Sequence, residues 1–78
     1  MRLIESTSGT GNYSYVYSGD KTPNTCSFAN DGAGNASIVI DGNTMVVKPG
    51  ENLEIAFEVP FNTVAITTTG AWRMLIGE

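Results

Sequence analysis

The chain has 78 residues, a formal net charge of −4 and only 15% charged residues. This length predicts one small domain, and the absence of histidine excludes any catalysis that depends on an imidazole. The four cations are isolated along the chain, which disfavours binding to nucleic acid or to an anionic membrane.

β-Branched residues far outnumber leucine. There are nine Thr, six Val and six Ile against only three Leu. Side chains that branch at Cβ lose rotamer freedom in a helix and pack well on a pleated surface, so the composition favours strands. Short alternating segments separated by turn residues then predict an all-β fold. We expect a small antiparallel β-sandwich, jelly-roll-like, with seven to eight short strands. This pattern excludes a helical bundle and a transmembrane protein.

The first eleven residues are interpreted as an N-terminal arm and flexible linker, so that the β-sandwich domain covers residues 12–78. Residues 1–5 form an arm that contains the apolar Leu3 and Ile4, and residues 6–11 (STSGTG) have the composition of a linker. We expect the arm to add as a strand to a neighbouring molecule. The alternative is that it folds back as an edge strand of its own domain.

Three tyrosines mark the first strand of the domain. Tyr13, Tyr15 and Tyr17 alternate with smaller residues and so lie on one predicted strand face. Such a face is typical of half-buried packing, of a protein interface or of a platform for sugar rings. Together with Leu3 and Ile4, these tyrosines are the candidate interaction residues.

Two turns are specified directly by the sequence. Asp41-Gly42 lies between two alternating apolar segments and predicts a hairpin, because both residues tolerate a positive φ. Pro49-Gly50 fits a type II turn. After it, Leu53, Ile55, Phe57 and Val59 are predicted to face one way. The period-two pattern predicts a core of ten residues: Phe28, Ile38, Ile40, Leu53, Ile55, Phe57, Val64, Ile66, Trp72 and Met74.

No group of residues predicts a catalytic or cofactor site. Cys26 is the single cysteine and is interpreted as a small core residue. Asn30, Asp31 and Asn35 offer oxygen donors in a glycine-rich loop, but three donors with one carboxylate are few for calcium, so this loop is interpreted as a plain turn. We therefore expect a protein that is not an enzyme and that needs neither metal nor cofactor.

Residues 25–77 resemble a small β-domain of virion structural proteins from tailed phages and prophages of Gram-positive bacteria. The resemblance covers 53 residues and rests on turn motifs and strand alternation in five segments: Asn30-Asp31-Gly32, Ile40-Asp41-Gly42, Val47-Lys48-Pro49-Gly50-Glu51, Pro60-Phe61 and VAITTTGAWR at 64–73. In that family the domain ends fibre-like or decoration-like proteins and is not known as an enzyme.

The resemblance implies a non-enzymatic accessory protein of a phage virion. The absence of a long shaft favours decoration of the capsid or tail surface, with the major capsid or tail protein as partner and a homo-oligomer as the working form. With no signal peptide in the sequence, we expect synthesis in the host cytoplasm and final location in the virion. The alternative is a carbohydrate-binding or host-adhesion module on the phage particle.

Overall fold

A computed structural model describes residues 2–78 and consists of eight β-strands without a helix among them. The strands are β1 (Leu3–Thr10), β2 (Tyr13–Val16), β3 (Thr25–Asn30), β4 (Ala36–Ile40), β5 (Asn43–Val47), β6 (Asn52–Ala56), β7 (Thr63–Thr67) and β8 (Ala71–Gly77). Met1, the first residue of the expected arm, lies outside the described residues.

The strands form two antiparallel sheets of four. Sheet A has the order β1-β8-β3-β6 and sheet B the order β2-β7-β4-β5. Only the β4–β5 hairpin connects neighbours within one sheet, and every other connection crosses between the sheets. This is the strand order of an eight-stranded jelly roll. The expected all-β sandwich is therefore confirmed.

The hairpin turn follows the sequence prediction. Asp41 and Gly42 have φ values of 48° and 84°, the left-handed pair that a two-residue turn requires. The Asp41 side chain also accepts hydrogen bonds from the backbone N–H groups of Asn62 and Thr63, at 3.0 and 2.9 Å. The turn is thus tied to the start of β7.

Seven of the ten predicted core residues are buried, and three are not fully enclosed. Leu53, Ile55 and Phe57 are only half-buried against the core, and Val59 is 70% exposed. The reason is that β6 is the outer strand of sheet A, pairs only with β3, and ends at Ala56. The chain leaves the sheet after Ala56, so Phe57 still packs against the buried Phe61 at a centroid distance of 5.6 Å, whereas Val59 no longer points inward. The buried core consists of Tyr17, Cys26, Phe28, Ala36, Ile38, Ile40, Val47, Phe61, Val64, Ile66, Trp72, Met74 and Ile76.

The predicted flexible linker is wrong, because residues 6–10 belong to a strand. Leu3–Thr10 pairs antiparallel with β8, with one irregularity between Leu3 and Glu5. Gly9 lies opposite Trp72, and a Cβ at Gly9 would be 3.0 Å from the indole. Gly9, one of the small residues that suggested a linker, is here the residue that fits beside a large buried ring. The alternative, in which the N-terminal segment is an edge strand of its own domain, describes residues 3–10.

Candidate functional site

The candidate interaction residues come together on one side of the sandwich, where β1 and β2 are the outer strands of their sheets. Leu3 is 54% exposed, Ile4 packs partly against the core and Tyr15 is 40% exposed. Tyr13 is half-buried, with its ring 5.1 Å from that of Trp72. The three tyrosines lie on one side as predicted: Tyr13 and Tyr15 are opposite the buried Ile66 and Val64, and the ring of Tyr17, just beyond β2, is buried 4.9 Å from that of Tyr15.

Glu5 connects this cluster, and the sequence analysis did not identify it. It is half-buried on β1 and accepts a 2.7 Å hydrogen bond from the Tyr17 hydroxyl. The Tyr13 hydroxyl donates to its other oxygen over a longer 3.4 Å. In the sequence Glu5 is 12 positions from Tyr17. The two side chains meet because β1 of sheet A packs over the end of β2 in sheet B. We call Glu5, Tyr13 and Tyr17 the tyrosine–carboxylate cluster.

The tyrosine–carboxylate cluster holds its phenols in the protonated form. Burial, with the hydrogen bond to Glu5 as a second cause, raises the pKa of Tyr17 far above its ordinary value. Burial, followed by the charge of Glu5, also raises the pKa of Tyr13. Both hydroxyls therefore act as donors toward one carboxylate. Chemically, the cluster ties the first strand of sheet A to sheet B.

Cys26 is a core residue, as predicted. Its side chain is buried on β3, and burial raises the pKa of the thiol to about 12. A reactive cysteine needs the opposite shift, since the thiolate is the nucleophile. Its position therefore provides no nucleophile for covalent chemistry.

Two of the three oxygen donors in the glycine-rich loop, Asn30 and Asp31, are bound by other groups of the protein, and the third, Asn35, is exposed. Asn30 is buried, donates to the carbonyls of Gly34 and Val47 at 2.9 and 2.8 Å, and accepts from the Gly32 N–H. Asp31 binds Arg73 through both carboxylate oxygens, at 2.7 and 3.1 Å. The loop interpretation as a structural turn agrees with these contacts. Asn30 also links the sheets, because Val47 lies on β5 of sheet B.

Two segments that carry the family resemblance meet at the end of the sandwich that contains the loop after β3. The Asp31 N–H donates to the Ala71 carbonyl at 3.0 Å, next to the Asp31–Arg73 ion pair. Gly32 and Gly70 are so close that a Cβ added to Gly70 would be 2.7 Å from the Cα of Gly32. The Asn30-Asp31-Gly32 motif and the motif around Gly70 therefore form one contact between two loops.

The outer face of sheet A contains two adjoining shallow depressions of about 480 and 440 Å³. Both include Ser27 and Leu75, and Leu75 is 40% exposed. Arg73 lies in the first and Glu54 in the second. Aromatic side chains are absent from both linings. This face lacks the stacking surface on which sugar rings are commonly bound.

The outer face of sheet B has no charged side chain on its strands, in contrast to the outer face of sheet A with Arg73 and Glu54. None of the strands β2, β4, β5 and β7 contains a charged residue. One ladder crosses all four strands from Ser14 through Ala65 and Val39 to Thr44. Val16 and Val46, near opposite edges, are 65% and 63% exposed. The uncharged outward residues are Ser14, Val16, Ser37, Val39, Thr44, Val46, Thr63, Ala65 and Thr67. We call this surface the sheet B face.

No protein-family model and no curated protein matches this chain. Residues 2–78 contain no cluster of three or more cysteine, aspartate or glutamate side chains with metal-binding geometry. No helix among the described residues is long and apolar enough to cross a membrane.

Proposed function

We propose that this protein is a non-enzymatic accessory protein of a phage virion that decorates the capsid or tail surface through protein–protein contacts. The observation that carries the proposal is the sheet B face, whose four strands have no charged residue in a chain with a net charge of −4. Interfaces between proteins are depleted in charge at their centre. A decoration protein needs such a flat, preformed surface to dock on a larger particle.

Two further features support the proposal. Eight-stranded jelly rolls recur in viral capsid and lectin domains, although a fold alone does not define a function. The segments that resemble virion β-domains are in contact in this fold, through Asp31 with Arg73 and Gly32 with Gly70. Burial raises the pKa values of Tyr13, Tyr17 and the Cys26 thiol, which is the opposite of what a nucleophile or general base at these positions would need.

Co-sedimentation with particles tests the proposal. Capsids and tails are purified from a phage mutant that lacks the protein, and the added chain is expected to sediment with one of them. Val39→Lys, which places a charge at the centre of the sheet B face, should abolish this binding. Leu75→Lys is the matched control on sheet A and should retain it. A wild-type chain that stays in the supernatant with both particles would contradict the proposal.

A carbohydrate-binding module on the particle is the second candidate function. It is favoured by Tyr15, whose ring is partly exposed and is held edge-to-face against Tyr17 at a centroid distance of 4.9 Å. One oriented ring next to a rigid neighbour can stack on a sugar. In this case the chain would bind glycans of the host wall, and Tyr15→Ala would remove the binding while Val39→Lys would not.

A further inference from the structure

The outer strand of sheet A, β6, has a free edge on the side away from β3. Just before the strand begins, the Asn30 N–H donates to the Glu51 carbonyl at 3.1 Å. Just after it ends, the Phe57 N–H donates to the Asn24 carbonyl at 2.7 Å. Between these two bonds the register with β3 does not shift, so every second residue of β6 directs its backbone groups to β3. The residues whose backbone groups point away from the sheet are therefore Asn52, Glu54 and Ala56.

The inner side of this edge is incompletely covered. Leu53, Ile55 and Phe57 pack against the core but are only half-buried. Met45 is half-buried as well and lies on β5, the outer strand of sheet B that residues 48–51 connect to β6. The opposite side of the sandwich is closed by the tyrosine–carboxylate cluster. A strand added at β6 would place every second side chain over these apolar residues.

The outer side of the same edge is acidic. Residues 51–58 contain three glutamates and no cation, in a chain of net charge −4. Glu54 is exposed on the outer face of sheet A and makes no ion pair within residues 2–78. Arg73, the one cation in the strands of sheet A, is already paired with a carboxylate of its own chain. Even with Lys48, whose N–H donates to Glu51 at the end of this edge, the local charge stays negative.

We propose that the free edge of β6 binds an extended basic segment of another protein, in which lysine or arginine alternates with apolar residues. The segment pairs as a fifth strand of sheet A through the free backbone groups. Its basic side chains lie on the outer face next to Glu54, and its apolar side chains lie over Leu53 and Ile55. The alternation follows from the pleat, because successive side chains point to opposite faces. This inference does not depend on the proposed function, whose surface is the sheet B face.

Charge selects both the edge and its occupant. A second copy of this chain is disfavoured, since pairing two β6 edges brings together two segments that each carry three glutamates. The four cations of the chain are isolated, so no segment of it has the required alternation. The other outer strands do not select a basic partner, because β2 and β5 contain no charged residue and the carboxylate of β1 is bonded by Tyr17. The occupant is therefore a different protein of opposite charge.

Titration of the isotope-labelled protein with a short peptide in which lysine and valine alternate, followed by nuclear magnetic resonance, tests the proposal. We expect a saturable shift of the backbone amide signals of Asn52, Glu54 and Ala56, and protection of these amides from hydrogen exchange. A peptide with glutamate in place of lysine should not bind. A peptide with serine in place of valine should bind more weakly, because it covers no apolar surface.

Glu54→Gln should weaken binding of the lysine–valine peptide by about twofold to fivefold, the effect of one cross-strand charge pair. The difference from wild type should shrink at high salt as the charges are screened. Ser14→Lys is the matched control, because it changes the net charge by the same amount at an exposed position on β2, in the other sheet. This variant should bind the peptide like wild type.

Ala56→Pro tests strand pairing with every charge kept. It removes one outward N–H from an edge position, where proline is tolerated, and should weaken binding by about fivefold, the effect of one lost hydrogen bond. If this variant does not fold, Glu54→Gln decides the case. Absence of a saturable shift at the β6 amides overturns the inference. So does equal binding of the glutamate–valine peptide, an equal loss in Ser14→Lys and Glu54→Gln, or a folded Ala56→Pro variant that binds like wild type.

Discussion

At the scale of single residues, two buried side chains hold loops in place through hydrogen bonds to the backbone. Asn30 makes three side-chain hydrogen bonds at the junction of β3 with β5, and Trp72 donates its indole N–H to the Gly11 carbonyl at 2.9 Å. Burying a polar group destabilises the fold unless its hydrogen-bond partners are in place. These two residues therefore fix the ends of loops that the sheets alone would not position.

Gly70→Ala should destabilise the protein by about 1–3 kcal/mol, because the new methyl group would overlap the backbone of Gly32. The added Cβ would lie 2.7 Å from the Gly32 Cα, and two backbones cannot separate without moving both loops. The free energy of unfolding in urea measures the effect. Gly34→Ala is the control in the same region, since nothing lies within 4 Å of its Cβ position. Equal stabilities of the two variants would contradict the contact.

At the scale of elements, the attachment of β1 decides whether the N-terminal segment belongs to the domain. Its backbone pairs with β8, and its ends are held by the Arg2–Glu78 ion pair at 3.1 Å and by the hydrogen bond from the Gly11 N–H to the Gly70 carbonyl. The tyrosine–carboxylate cluster adds a link from this strand to the other sheet. The segment that was predicted to add to a neighbouring molecule is therefore paired within its own domain over residues 3–10.

Tyr17→Phe should lower the free energy of unfolding by about 1–2 kcal/mol, since a hydrogen bond to a half-buried carboxylate is lost while the ring is kept. Tyr13→Phe is the matched control and should cost clearly less, because its contact with Glu5 measures 3.4 Å against 2.7 Å for Tyr17. Urea unfolding of both variants checks this order. A larger loss in Tyr13→Phe than in Tyr17→Phe would show that the cluster does not tie the strands as described.

At the scale of the whole molecule, the titratable groups predict a stability plateau around neutral pH. The chain has no histidine, so no side chain with an ordinary pKa titrates there. At low pH the carboxylates matter, since hydrogen bonds from Arg73, Asn62 and Thr22 lower the pKa values of Asp31, Asp41 and Glu78 respectively. At high pH the groups that matter are Cys26 and Tyr17, whose pKa values are raised.

Stability should therefore fall in acid and in alkali for opposite reasons. A carboxylate with a lowered folded pKa contributes stability that is lost as the pH falls below its unfolded value, here 3.8 for Asp31. A thiol with a raised folded pKa stays protonated while the unfolded chain ionises. Cys26 alone should then lower the free energy of unfolding between pH 9.0 and about 12, by at most about 1.4 kcal/mol per pH unit.

Urea unfolding across pH checks this prediction, with Cys26→Ala as the comparison. The variant loses stability at every pH through the cavity it leaves, but its alkaline decline should be shallower than that of the wild type. Parallel alkaline slopes would show that Cys26 does not carry the effect.

The all-β class, the Asp41-Gly42 hairpin and most of the core follow from the sequence by itself. These features depend only on residues that are adjacent in the sequence, because strand alternation has a period of two and turn residues act through their own φ angles. Ile38, Ile40, Val64 and Ile66 were placed in the core for this reason, and all four are buried.

Only the tertiary structure decided the rest. Glu5 meets Tyr17 across 12 positions, Asp31 meets Arg73 across 42, and Gly11 meets Trp72 across 61. Composition made residues 6–10 look like a linker, and alternation predicted full burial for Phe57, which is only half-buried. Neither pattern reveals which strand lies beside another. In a jelly roll nearly every connection crosses between sheets, so edge, partner and burial are set by contacts that no local pattern encodes.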